Sequence, residues 1–151
     1  MTGSDRGFRV RALGEIAIRC RDLESMTDFY RDIIGLEVLP GAHREGIVFF
    51  RIGEGFAGHT AVLALFRDDD TGRGEPAPHG GSGSSLHHLA LTVGRKEQDE
   101  VVRWYRRKGV EHHVEEFGWI GWRGVFASDP EGNTVEIVAY DPSIGRLTEV
   151  R

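Results

Sequence analysis

The chain holds one cysteine, Cys20, among 151 residues, so it can build neither an internal disulfide framework nor a cysteine-rich zinc site. Any metal must be held by His, Asp, Glu or Gln. Apolar runs are short. No stretch approaches the 18 consecutive apolar residues of a membrane span, and the opening MTGSDRGFRVRALGE lacks the apolar run of a secretory signal. These absences predict a cytoplasmic protein with no membrane partner. Basic residues are outnumbered, 19 Lys and Arg against 24 Asp and Glu for a formal net charge of −5, and neither sign collects in one long block. That balance argues against a nucleic-acid partner, because phosphate binding needs a concentrated basic face. Charged residues, at 28%, stay below what disorder requires. A chain of this length buries about 68–70% of its accessible surface on folding, enough for a real core.

The sequence shows two rounds of one pattern. EIAIRC, Glu15 to Cys20, alternates as a half-buried strand, with Ile16, Ile18 and Cys20 on one face. Asp22 is placed to cap a helix whose stripe is Met26, Phe29, Tyr30, Ile33 and Ile34, with Gly35 as its stop. EVL, IVFFRI from Ile47 and TAVLALF from Thr60 follow as three strands. The order then repeats: LHHLALTV from Leu86 as a strand, EQDEVVRWYRRKG as a helix ending at Gly109, and VEHHVEEF, WRGVFAS and NTVEIVAY as strands. Glu15 matches His88 at an offset of 73, while Gly35 with Gly109 and Gly58 with Gly132 give 74. Such regularity marks an internal duplication. The expectation is an α+β fold of two βαβββ modules, residues 12–66 and 86–141, with a Gly/Pro/Ser-rich mobile linker at 67–85 and a tail at 142–151.

Alternation sorts the faces. If Leu89, Leu91 and Val93 cover the second helix, His88 points the other way, as Glu15 does in the first module. In the last strand Val135, Ile137 and Ala139 take the helix side, leaving Glu136, Val138 and Tyr140 on the side of His88. Glu15, His88 and Glu136 would then offer one imidazole and two carboxylates, a donor set suited to Fe(II), Mn(II), Ni(II) or Zn(II) with positions left for substrate.

The duplicated unit, DLESMTDFYRDIIGLEV, HHLALTV and above all DPEGNTVEIV resemble the vicinal oxygen chelate superfamily across about residues 12 to 142. That group includes glyoxalase I, extradiol ring-cleaving dioxygenases, fosfomycin-resistance enzymes and bleomycin-resistance proteins. The resemblance implies sheets combined into a cupped, barrel-like mixed sheet with helices outside, a divalent metal within, and often a homodimer. His88 matches the second-module histidine ligand and Glu136 the glutamate ligand after the DPxGN turn. Glu15 stands where the first-module ligand is usually histidine. Ala64 stands where glyoxalase-like members place a fourth ligand, so it points to a three-ligand arrangement with Ala64 beside the substrate. Phe126 occupies the place of a tyrosine that ring-cleaving members often use. His59, His87, His112 or His113 could substitute for it, against a default reading as surface histidines.

The segment FGWIGWRGVF concentrates Phe117, Trp119, Trp122 and Phe126 within ten residues. Two tryptophans among glycines at a loop–strand junction are expected to line a pocket for a planar or apolar ligand, with Arg123 available to an anionic group. Two functions follow from these residues. One is a metal-dependent, glyoxalase- or dioxygenase-like enzyme acting on a small aromatic or apolar molecule bound through two adjacent oxygens, with His88 and Glu136 as its catalytic ligands. The other is a metal-free binding protein of the bleomycin-resistance type that sequesters an aromatic ligand.

Overall fold

The computed structural model describes residues 6–40, 46–68 and 84–145. The chain divides into two compact units, residues 1–74 and 75–151, each with its own mixed sheet. In the first, β1 (Glu15–Cys20) leads into α1 (Leu23–Asp28), followed by β2 (Glu37–Val38), β3 (Ile47–Glu54) and β4 (Thr60–Arg67). The sheet order is β1-β4-β3-β2, with β1 parallel to β4 and the other pairs antiparallel. The second unit repeats this plan: β5 (Leu89–Thr92), α2 (Arg95–Lys108), β6 (His112–Phe117), β7 (Trp122–Ser128) and β8 (Thr134–Tyr140), in the order β5-β8-β7-β6. Of the expected linker, residues 69–83 lie outside the described residues, as do residues 146–151 of the expected tail.

The duplication is visible in the backbone. Gly35 and Gly109 end the two helices with φ of +84° and +67°, and Gly58 and Gly132 both turn at +86°. A side chain is disfavoured in that left-handed region, which is why glycine recurs at these matched positions.

In unit 1 the Asp22 carboxylate accepts from the Ser25 N–H at 3.0 Å and so caps α1. The helix continues as a π-helical turn, Phe29–Ile33, where the sequence predicts unbroken α-helix. That turn helps bury Phe29 and Tyr30, and the Tyr30 ring lies 6.2 Å from that of Phe50 on β3. Ile18, Cys20, Leu63 and Leu65 complete this core, each large aliphatic chain contributing about 1.5–3 kcal/mol by leaving water.

In unit 2 the buried apolar side chains of the strands are Leu89, Leu91, Val125, Ala127, Val135, Ile137 and Ala139, and α2 buries Gln98 and Tyr105. Gln98 bolts α2 to the sheet. Its Nε2 donates to the carbonyls of Arg123 at 2.6 Å and Ile137 at 2.9 Å, and its Oε1 accepts from Arg123 Nη1 at 2.7 Å. A fully buried amide is tolerable only when satisfied in this way. Among the described residues no helix is long and apolar enough to cross a membrane.

Strand β5 begins at Leu89, three residues later than the alternating pattern from Leu86 suggests. The Leu86 N–H is bonded to Ser84 Oγ at 3.1 Å instead of joining a ladder. Side-chain bonds of this local kind compete with strand pairing.

Candidate functional site

The turn between β7 and β8 fixes the site. Asp129, buried, accepts at Oδ1 from the N–H groups of Glu131 at 2.9 Å and Asn133 at 3.0 Å, and at Oδ2 from Asn133 Nδ2 at 2.8 Å. With Gly132 in the left-handed region, this DPEGN turn locks the register that sets Phe126 opposite Glu136 on β7–β8. On its other side Glu136 pairs with Ala90 of β5. Val135, Ile137 and Ala139 share the buried α2 side, so Glu136 projects from the opposite face.

There it meets His88, one residue before β5. His88 Nε2 lies 3.2 Å from Glu136 Oε2, and the Glu136 side chain is only 7% exposed. Burial pushes the Glu136 carboxyl above the ordinary carboxylate range. His88 pulls it back and the Glu115 carboxylate adds to the rise, leaving the net direction upward. The other ring nitrogen of His88, Nδ1, is 2.8 Å from Nδ1 of His87.

Phe126 is the aromatic hub of this face. Its ring centroid is 6.4 Å from those of His88 and Phe117, and His113 stacks flat on it at 5.0 Å with planes 10° apart. His113 Nε2 is 3.4 Å from Glu115 Oε1. His112 takes the other face, with its ring 5.5 Å from Tyr105 of α2.

Gly124 lets the Glu136 carboxylate and the Phe126 ring close over the β7 backbone. A Cβ there would sit 2.5 Å from Glu136 Oε1 and 2.7 Å from Phe126 Cε2. No motif in the sequence singles out Gly124. Its one signal is a glycine inside a strand, which marks close approach by another group.

The remaining candidates are spread more widely. Trp122 is on the same face of β7 as Gly124 and Phe126 by alternation, 45% exposed, and pairs in register with Tyr140. Trp119 lies in the β6–β7 turn, 67% exposed, with its ring 6.5 Å from that of Trp122. Arg123 faces α2, where it bonds Gln98; an odd position between Trp122 and Gly124 on a strand points away from Glu136. Glu15 and Ala64 belong to unit 1 and share the face of its sheet away from the Ile18, Cys20 and Leu65 core. Glu15 is exposed at the head of β1, while Ala64 is fully buried in mid-β4 between Ala17 and Phe49. The register gives this alanine a counterpart: Ala17 pairs Ala64, which pairs Phe49, as Ala90 pairs Glu136, which pairs Phe126.

The His88–Glu136 pair passes a simple test of fit to a divalent ion. Two ligand atoms each about 2.0–2.2 Å from one ion, at a near-right angle, stand about 3 Å apart, close to the 3.2 Å observed. A buried carboxylate with raised proton affinity also gains most from a cation in place of the proton. Among the described residues, no group of three or more His, Cys, Asp or Glu is arranged to hold an ion.

Comparison with known proteins gives one family. The model of the Glyoxalase/Bleomycin resistance protein/Dioxygenase superfamily matches residues 12–137. A curated relative, "Uncharacterized protein YwkD" of Bacillus subtilis (strain 168), is 28% identical over 129 residues, 85% of this chain and 96% of that protein. Among solved structures, a glyoxalase/bleomycin resistance protein/dioxygenase from Nocardioides has a TM-score of 0.68 at 20% identity, covering 98% of this chain and 95% of its own. Lactoylglutathione lyase from Agrobacterium tumefaciens has a TM-score of 0.62 at 24% identity, covering 85% and 92%. At these identities the structural likeness speaks for the fold alone.

Proposed function

Because the chain belongs to the Glyoxalase/Bleomycin resistance protein/Dioxygenase superfamily, we propose that it is a metal-dependent enzyme of the vicinal oxygen chelate type. Its substrate is a small aromatic or apolar molecule bound through two adjacent oxygens. The observation that supports this reading is the meeting of His88 Nε2 and the buried Glu136 Oε2 at 3.2 Å beside the Phe126 ring. A pure binding protein gains nothing from keeping a poorly hydrated carboxylate there, whereas a cation site does.

In this proposal His88 and Glu136 hold Fe, Mn, Ni or Zn; the sequence alone offers Glu15 as a third donor, and no three-donor group is formed among the described residues. The ion, when bound, supplies Lewis-acid stabilisation of an enolate or related anion on the substrate. Phe126, Phe117 and Trp122 provide flat apolar surface that keeps water from Glu136 and favours a planar ligand over a small polar aldehyde. Arg123 is left out of the ligand wall because its guanidinium is engaged by Gln98. Phe126 offers no proton, so a histidine of this face would act in its place. A homodimer and a cytoplasmic setting are proposed on the same footing as Glu15, from the sequence.

The second reading, a metal-free binder of the bleomycin-resistance type, is favoured by the absence of a three-donor group among the described residues. Elemental analysis of protein purified without chelators separates the two. About one transition-metal equivalent per chain, lost in His88→Ala and Glu136→Ala, is expected. No metal, together with tryptophan quenching by catechol-like or fused-ring ligands that ignores added Fe(II) or Mn(II), would replace the enzyme reading with the binder.

A further inference from the structure

Neighbouring residues on a strand point to opposite faces, so His87 could not touch His88 if β5 began at Leu86. It begins at Leu89, and the two rings meet nearly perpendicular, centroids 5.1 Å apart and planes at 74°. Their Nδ1 atoms are 2.8 Å apart. A neutral imidazole has one N–H and one lone pair, so this contact requires one ring to donate and the other to accept.

We infer that His87 is a positioning residue for His88, holding its ring so that Nε2 stays aimed at Glu136 whether that nitrogen bears a proton or a metal. The inference rests on the metal reading above. When His88 Nε2 carries its proton toward Glu136, Nδ1 accepts and His87 Nδ1 donates. With a cation on Nε2 the opposite tautomer pair would serve, His88 Nδ1–H donating to His87 Nδ1 and His87 carrying its one proton on Nε2. The Nδ1–Nδ1 bond survives both states, which a single fixed donor such as a lysine could not achieve. Gly124 and Phe126 bound Glu136 on the side of β7, and His87 gives His88 a matching restraint.

Removing such an outer partner typically weakens metal binding about 10–100-fold. The test is equilibrium dialysis of the full chain against Mn(II), for the wild type, His87→Ala, His87→Asn and His88→Ala. Expected is a loss in that range for His87→Ala, recovery of most of it in His87→Asn, whose amide can donate or accept, and no binding in His88→Ala. Wild-type affinity in His87→Ala, with binding lost in His88→Ala, would overturn the inference while the metal reading stands. Asn no tighter than Ala would assign the loss to packing and overturn it too. No Mn(II) binding by the wild type, or binding that survives His88→Ala, sinks both. Independently of metal, ¹⁵N NMR should show a through-hydrogen-bond coupling between the two Nδ1 atoms, and its absence counts against the bond itself.

Discussion

Substituting Gly124 with alanine adds one methyl group at the most crowded point of the proposed site. The new Cβ would lie 2.5 Å from Glu136 Oε1 and 2.7 Å from Phe126 Cε2, below the 3.0 Å that such atoms keep. Glu136, Phe126 or the β7 backbone must then shift by about 0.5 Å or more, the tolerance within which a functional constellation has to be held. The backbone is pinned between β6 and β8, and Glu136 is buried, so the carboxylate and the Phe126 ring absorb the strain. Overpacking of this kind costs about 1–3 kcal/mol. Replacing a glycine outside the left-handed region returns about 0.4–1 kcal/mol by restricting the unfolded chain, and Gly124 is outside that region. The net loss is about 1–2 kcal/mol, which for a chain of this size lowers Tm by roughly 2–8 °C. Thermal denaturation in chelator, with Mn(II) dialysis alongside, measures both consequences. The double variant Gly124→Ala with Glu136→Ala should be more stable than the sum of the single effects, because the clash has lost one partner. An unchanged Tm and unchanged Mn(II) affinity in Gly124→Ala would refute the placement of the Glu136 carboxylate against β7.

The raised proton affinity of Glu136 has a defined sign: its contribution to stability is present in acid and is lost as pH rises through the folded-state pKa. Glu136→Gln, neutral at every pH, should therefore raise the Tm of the chelator-treated protein at neutral pH and leave it little changed in acid, while removing metal; a lower Tm at neutral pH would contradict the buried-carboxylate assignment. Gln98→Ala deletes three hydrogen bonds, at about 1 kcal/mol each about 3 kcal/mol, and should lower the urea midpoint without changing metal affinity per folded molecule, an outcome that affinity loss in the folded fraction would overturn.

The duplicated architecture was legible because it is written in periodicity. Alternation in EIAIRC and TVEIVAY and the helical stripe from Met26 to Ile34 match β1, β8 and α1 with its π-helical continuation, and the matched glycines sit where backbone geometry demands them. What escaped the sequence depends on contacts between elements. Nothing local in EQDEVVRWYRRK distinguishes Gln98 from a solvated polar residue until β7 and β8 present their carbonyls to it. The aromatic segment was readable as a cluster, but the same strand alternation that points Glu136 away from α2 turns Arg123 toward it, where it bonds Gln98. Likewise the late start of β5 at Leu89, where Leu86 N–H bonds Ser84 and His87 meets His88 instead of joining a ladder, is a competition between hydrogen bonds that composition does not weigh.

The two units also show how a duplication can preserve a backbone and divide its chemistry. At equivalent places in the sheets, Ala64 lies between Ala17 and Phe49 while Glu136 lies between Ala90 and Phe126. The small residue on the parallel neighbour and the phenylalanine on the antiparallel one recur, so the surroundings of the central position are common to both halves. The central position itself differs: alanine is fully buried at no polar cost, whereas the carboxylate resists losing its hydration and shows this in its raised proton affinity. A fold that tolerates either residue does not require the glutamate for packing. Under the proposed function the difference has a reason: the carboxylate beside His88 would serve to hold a cation, whereas alanine only fills the same slot in the other unit.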